Sequence, residues 1–478
     1  MRFLEVTNFP GKYMYWYYRL HPGLAQLPYA RQKTEFMADG VGAGLYLAEE
    51  MRSLGYAADT VIANNLTLQA AWAAENNFPM PPDYADLAIE QINRFEPDIL
   101  CLINCPAFNQ RFLNRLKKRP RLILGWHYAP LLADTDWTGY DLILSPLRAC
   151  RDAATAHGAA AADYAFPGFD PGRVLPPENA ERKVDVAFCG AWGPEYSRRN
   201  ALLEALRYTP ASNGDHNFSR VLCLNALNPE ELPPGLAALN RGAVWGKRMY
   251  ALLAGSRMVI NAVADYAKGQ PPNLRHMEAT GMGALLFTED HPSLRAFWQG
   301  DEVAAFASAE EMLEKIRYYR ENDPARQAVA ERGQARCLRD FSLAVRARAM
   351  DRRIERALRP QSFAAAAREN LLREAGHFIA AGEQGLVRAA GAGIDKDLTA
   401  AMWESFCRGD AGDVTALAET RAKLTADSFE HAFCGCLARA VQGDMPAALA
   451  LLRQELANFP ENDRARGIYA DLLTAYPA

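Results

Sequence analysis

Up to about residue 360, short apolar runs of strand length alternate with amphipathic stretches, and beyond that point the alternation stops. No other feature of the chain narrows its fold as far, because strands separated by helices pair in parallel and are covered on both faces. The first series of candidate strands is Met1 to Thr7, Asp59 to Ala63, Asp98 to Asn104, Arg121 to Trp126 and Asp141 to Ser145. Gly44 to Leu54, Tyr84 to Phe95 and Asn109 to Lys118 carry helical spacing between them. The stretch Phe166 to Lys183, dense in Pro, Gly and charge, reads as a linker. A second series follows, with strands Val184 to Cys189, Arg220 to Leu224, Met258 to Ala262 and Ala284 to Thr288. Its helices are Arg199 to Arg207, Lys247 to Ala254 and Leu274 to Thr280. The expected fold is α/β, with two Rossmann-like domains over residues 1–170 and 171–360 facing a cleft. Strand ends make such a cleft the place for a ligand.

From Gln361 onward Ala, Leu, Glu and Arg dominate, so residues 361–478 are expected to form an all-helical domain. Gly443-Asp444 separates two apolar-periodic helices there, Ala447 and Ala448 offer small packing residues, and Pro460 closes the second helix. That is the look of one tetratricopeptide-type hairpin.

Composition removes several classes of function. The formal charge is −4, from 53 Lys+Arg against 57 Asp+Glu, so no basic field exists to hold a nucleic acid. No apolar run approaches the roughly 20 residues that cross a bilayer, and Glu5 and Lys12 interrupt any secretory leader. A cytoplasmic protein is expected. Cys101, Cys189 and Cys223 lie in strand-like runs and read as reduced packing residues, while the lone Cys434 and Cys436 pair does not make a zinc site. No HExxH, Walker loop, GxSxG or paired CxxC appears.

Most of the chemistry is concentrated in Val244 to Asp290, VWGKRMYALLAGSRMVINAVADYAKGQPPNLRHMEATGMGALLFTED. A basic helix start at Lys247-Arg248 leads to a buried strand, a Gly/Pro loop, and then Arg275 and Glu278 on one face of a helix. A helix amino terminus favours an anion such as a pyrophosphate, and a carboxylate there can accept two hydrogen bonds from a ribose diol. A nucleoside diphosphate fits both. Gly281 and Gly283 let the helix end and the next strand pack closely. Taken alone, Arg275 and Glu278 could be a surface ion pair of small worth; their place at a strand's carboxyl end favours the ligand.

This stretch, continued through HPSLRAFWQGDEVAAFASAEEMLEKIRYYRENDPARQAVAERGQARCLRDFSLAVRARAM, resembles the carboxyl-terminal domain of GT-B glycosyltransferases, specifically the group like the spore-maturation protein CgeB. The turn Gly300-Asp301-Glu302, the helix end Tyr318-Tyr319 and the Arg-rich closing helix carry the likeness. In the first half it rests on strand order and on the run NNLTLQAAWAAENN from Asn64 to Asn77, so that it spans about residues 1 to 355 and leaves out the tail. The resemblance implies transfer of a sugar from a nucleotide-sugar donor to an acceptor hydroxyl. It makes Glu278 the ribose carboxylate, Arg275 and Asn273 diphosphate contacts, and Trp245, Gly246 and Lys247 neighbours of base and phosphates. Gly190 and Arg198 would close over the phosphates. Retaining relatives often carry two glutamates seven residues apart; Pro271 and Gln270 stand seven and eight positions before Glu278, so the stereochemical outcome stays open. Arg275 and Lys247 are expected to serve as separate cations on the diphosphate, and with Arg, Lys and a helix dipole available no metal or other cofactor is required.

The acceptor side falls to the first domain. His127, directly after the strand LILGW, is a candidate general base or hydroxyl ligand, with a packed histidine as the alternative. Asp39, ahead of Gly40, Gly42 and Gly44, is a second candidate base, with helix capping as its alternative. The cluster YMYWYY from Tyr13 to Tyr18 is an acceptor-sugar wall or interdomain packing. The expected partners are a nucleotide sugar and an acceptor protein or glycan recruited by the helical tail. A nucleotide-sugar epimerase of the same fold and a non-catalytic scaffold are the rival readings.

Overall fold

A computed structural model describes residues 1–81, 83–174, 181–206, 218–226, 230, 232–268, 270, 273–359, 365–425 and 428–476. The middle of the expected linker, Arg207, Pro271 and the expected boundary at residues 360 and 361 lie outside these. The chain divides into two compact units, Met1–Ala347 and Arg348–Ala478.

The first unit opens with β1 (Arg2–Thr7), α1 (Gly11–Leu20), α2 (Tyr29–Asp39), α3 (Ala48–Ser53), β2 (Ala57–Ile62), α4 (Leu66–Glu75) and α5 (Tyr84–Phe95). Then come β3 (Ile99–Ile103), α6 (Gln110–Leu113), β4 (Leu122–Trp126), β5 (Leu142–Leu144), α7 (Arg148–Ala153) and β6 (Ala162–Asp163). These strands form one sheet in the order β2-β1-β3-β4-β5-β6, parallel throughout. All five residues of β3 are apolar and buried, as a strand covered on both faces requires.

A second alternation follows with β7 (Val184–Trp192), α8 (Ser197–Ala205), β8 (Arg220–Ala226), α9 (Pro234–Ala237), α10 (Gly246–Ala254) and β9 (Ser256–Asn261). It continues with α11 (Leu274–Gly281), β10 (Leu285–Glu289), β11 (Ala304–Phe306), α12 (Ala309–Glu321), α13 (Asp323–Asp340) and α14 (Leu343–Ala357). Its sheet has the order β11-β10-β9-β7-β8, again parallel. Two Rossmann-like domains therefore face a cleft, as expected. The strands β6 and β11 were not expected, because two or three residues are too few to show an apolar period.

The helix expected from Gly44 begins only at Ala48. Gly40 and Gly42 hold φ of 86° and 68°, a left-handed turn that interrupts helical continuity. The loop also packs on the interdomain crossover. Gly168 N–H donates to Gly44 O at 2.8 Å, and a Cβ at Gly44 would lie 2.1 Å from Gly168 O.

Glu5, in the middle of β1, is buried and accepts from Leu47 N–H at 2.7 Å, Ala48 N–H at 3.2 Å and Thr60 Oγ1 at 3.0 Å. Burial outweighs these donors and lifts its pKa from 4.5 to about 7. Between those values the folded state binds more protons than the unfolded one, so stability falls as pH rises through that window. Over the full window the loss is expected to be about 3 kcal/mol, and Glu5→Gln is expected to flatten the dependence. Urea denaturation at pH 5 and pH 8 checks it; equal slopes in wild type and variant would mean that this carboxyl does not titrate there.

The second unit consists of the rest of α14 with α15 (Ala365–Ala380), α16 (Gly382–Ala392), α17 (Ile394–Cys407), α18 (Ala411–Leu424), α19 (His431–Val441), α20 (Met445–Asn458) and α21 (Asp463–Ala475). The division falls within α14, earlier than the expected residue 360. The reason is that Arg353 is buried and bonded to Asp463 at 3.0 Å, and Arg356 meets Glu430 at 2.9 Å, which ties this half of the helix to the helical region. Asp410 and Asp444, 34 positions apart, each follow a glycine and cap the next helix through their side chains. Cys434 and Cys436 are buried packing thiols. Among the described residues no helix is long and apolar enough to cross a membrane.

Candidate functional site

A cavity of about 440 Å³ lies at the carboxyl ends of both sheets. The first domain lines it with Val41, Gly42, Leu45, Trp126 and Tyr128. From the second come Cys189 and Gly190 at the end of β7, Arg199 on α8, Trp245, Gly246 and Met249 around α10, Asn261 at the end of β9, and Asn273 to Arg275 with Glu278 on α11. Six residues expected from the sequence thus meet on one wall: Gly190, Trp245, Gly246, Asn273, Arg275 and Glu278.

Arg275 and Glu278 do not stand apart. An Arg275 Nη1 lies 2.7 Å from Glu278 Oε2, with side chains only 15% and 6% exposed. Tyr250 O–H donates to Glu278 Oε1 at 3.4 Å, and Arg275 Nε–H donates to Cys189 O at 3.3 Å. This corrects both expectations, the free cation and the surface pair. The pair is buried, and breaking a buried pair exposes a charge to a medium that cannot solvate it.

Between them His276 turns away from the cavity. Its Nδ1 lies 2.8 Å from Asn261 Nδ2 and 3.1 Å from Asn273 Oδ1, its Nε2 lies 2.9 Å from Thr288 Oγ1, and the ring stacks on Trp298. Burial lowers its pKa to about 3, so it is neutral and can accept the Asn261 amide proton. It fixes Asn261, whose amide also donates to Asn273 Oδ1 at 3.0 Å. Sequence reading missed this role because Thr288 and Trp298 are far from His276 along the chain.

The cavity takes Arg199, to which the sequence assigned no role, in place of the expected Arg198. Arg198 is half-exposed and pairs with Glu289 at 2.5 Å, away from the cavity. Arg199 is buried and lines the cavity, donating to Ala262 O at 3.0 and 2.6 Å and to Ala191 O at 3.2 Å. Carbonyl oxygens accept its protons without cancelling its charge, and burial draws its pKa down. An anion entering the cavity meets a cation already in place.

His127 is also displaced. Side chains of an extended strand alternate between faces, and here Trp126 and Tyr128 line the cavity while His127 does not. Its ring lies edge-on to Trp137 at 5.6 Å, Nε2 is buried without a hydrogen-bond partner, and burial lowers its pKa. Lys247 is exposed, and only its backbone N–H reaches toward the first domain, to Asp39 Oδ1 at 3.3 Å. Asp39 is therefore engaged as a cap. The aromatic cluster is packing: Tyr13 and Tyr17 are buried, and Trp16 meets Trp245.

Residues 198–352, from α8 to α14, match the family model described as glycosyl transferase-like. HepE of Anabaena in complex with UDP-glucose is similar to this chain at 12% identity and a TM-score of 0.49, covering 74% of this chain and all of that one. A glycosyltransferase from Rickettsia africae ESF-5 is similar at 12% identity and a TM-score of 0.48, over 76% of this chain and 100% of that one. For sucrose-phosphate synthase from Thermosynechococcus elongatus the values are 9%, 0.44, 74% and 98%. No curated protein matches the chain. Two Rossmann-like domains facing a cleft are the GT-B arrangement, and the glycosyl transferase-like segment supplies the second domain's wall of the cavity from Arg199 to Glu278.

Proposed function

We propose that this chain transfers a sugar from a nucleotide-sugar donor to an acceptor hydroxyl. The observation that carries the reading is the joint placement on one cavity wall of Arg199 from α8 with Asn273, Arg275 and Glu278 at the start of α11, within the segment that matches the glycosyl transferase-like family. Glu278 would accept from the ribose hydroxyls, while Arg199, Arg275 and the first amides of α11 would hold the diphosphate. Stabilising the departing diphosphate and holding the acceptor beside it would supply most of the rate. Trp126 and Tyr128 give the first domain's wall an aromatic character suited to a sugar ring. We expect no metal to be needed, since these cations can meet the leaving group themselves. A cytoplasmic site of action is supported by nine free cysteines, eight of them buried.

Thermal unfolding against a panel of nucleotide sugars, with EDTA present, tests the reading. A donor at 100 times its dissociation constant should add about 2.7 kcal/mol, and release of nucleoside diphosphate should then require an acceptor. Conversion of the nucleotide sugar to its epimer with no net release of diphosphate would favour the epimerase, and a panel without any stabilising member would favour the scaffold. The helical region would recruit an acceptor protein or glycan, because stacked hairpins offer extended surfaces. Cross-links from a turned-over acceptor should map to α17 through α21; cross-links confined to the first unit would remove that role.

A further inference from the structure

The first turn of α10 has no cap of its own. Trp245, at the N-cap position, makes no side-chain hydrogen bond to the helix, although the first amides of a helix need acceptors. The acceptor comes from the other domain. Asp39 ends α2, is only 6% exposed, and receives Lys247 N–H on Oδ1 at 3.3 Å and Tyr13 O–H on Oδ2 at 2.9 Å. The approach is so close that a Cβ at Gly246, where φ is +55°, would lie 1.8 Å from Asp39 Oδ2. Around it Trp245 packs 5.5 Å from Trp16 and 6.1 Å from Tyr13, and Arg248 lies over Trp16 at 5.4 Å.

Trp245 and Gly246 also line the cavity. Whatever holds them against the first domain sets the width of the donor site. We infer that Asp39 is a positioning residue, an interdomain cap that seats α10 across the cleft and so completes the wall of the nucleotide-sugar cavity. It is not the base that takes the acceptor's proton. Both carboxylate oxygens are already occupied by donors, and Asp39 is not among the residues that line the cavity. A negative charge at a helix amino terminus is favourable, so the contact gains from the carboxylate while needing only an acceptor oxygen. The effect on donor affinity rests on the proposed function; the contact itself does not.

Two readouts separate these levels. In the ligand-free full-length protein, hydrogen exchange at the Lys247 amide should be about tenfold faster in Asp39→Ala than in wild type, once a buried acceptor is removed. Asp39→Asn keeps an oxygen for that amide and should restore most of the protection. For the nucleotide sugar found by the panel, Asp39→Ala should raise KM by about fivefold to tenfold with a smaller change in kcat, and Asp39→Asn should recover most of the loss. Gly246→Ala, which drives a methyl group into the carboxylate, should reproduce the Asp39→Ala pattern if that variant does not fold. An Asp39→Asn enzyme with normal KM, collapsed kcat and a missing limb in its pH profile would overturn the inference in favour of a base. Unchanged exchange in Asp39→Ala would overturn it as well. If wild type binds no nucleotide sugar, the proposed function fails, and the exchange result still decides whether Asp39 caps α10.

Discussion

Glu278→Ala is expected to lose about 3–5 kcal/mol of folding stability along with most of its donor affinity, because it strands the buried Arg275 guanidinium. A ribose carboxylate with no other partner would be missed only by the ligand; the 2.7 Å pair makes the change a structural one too. Glu278→Gln separates the two effects. It keeps hydrogen-bonding atoms in the site but not the charge, and should weaken nucleotide-sugar binding by about 1.5–3 kcal/mol, roughly tenfold to 150-fold. The double variant Arg275→Met with Glu278→Met should recover stability relative to either single change, since the leftover charge is gone. It should not recover binding. Urea denaturation and calorimetry read the two properties independently, and a Gln variant with wild-type affinity would remove Glu278 from the donor site.

Arg199→Met should cut affinity for the nucleoside diphosphate by about tenfold or more while changing affinity for the bare nucleoside far less, because a charge-assisted contact to phosphate is lost. Arg198→Met is the natural control. Its side chain is 54% exposed and paired with Glu289, so it should change neither affinity by more than about twofold. Rising salt should weaken the wild-type interaction only modestly, since buried charges are poorly screened. Equal losses for nucleoside and diphosphate in Arg199→Met would mean that this arginine does not meet phosphate.

The neighbouring arginines show where sequence reasoning ends. The sequence reading placed the phosphate contact after β7 at Arg198, but consecutive positions on a helix point about 100° apart, and which of Arg198 and Arg199 turns inward depends on what each meets. Glu289 draws one outward, while the carbonyls of Ala191 and Ala262 hold the other inward. The same applies to His127. Its location at a strand end was readable, yet Trp126, the last residue of β4, and Tyr128 beyond it line the cavity and leave the imidazole against Trp137.

The sequence by itself determined the two parallel sheets, the helical region after them, and the run of Trp245, Gly246, Asn273, Arg275 and Glu278 along one wall. Those features follow from local periodicity: apolar runs of strand length, and side chains three apart on one helix face. Only the tertiary structure decided that Arg275 and Glu278 are a buried pair, that His276 braces Asn261 and through it Asn273, and that Asp39 caps a helix of the other domain. Each of these depends on contacts beyond the local helix: Cys189 and Tyr250 around the Arg275–Glu278 pair, Thr288 for His276, and Lys247 for Asp39. A side chain's chemistry is set by its own atoms, but its direction and its desolvation are set by the elements packed against it.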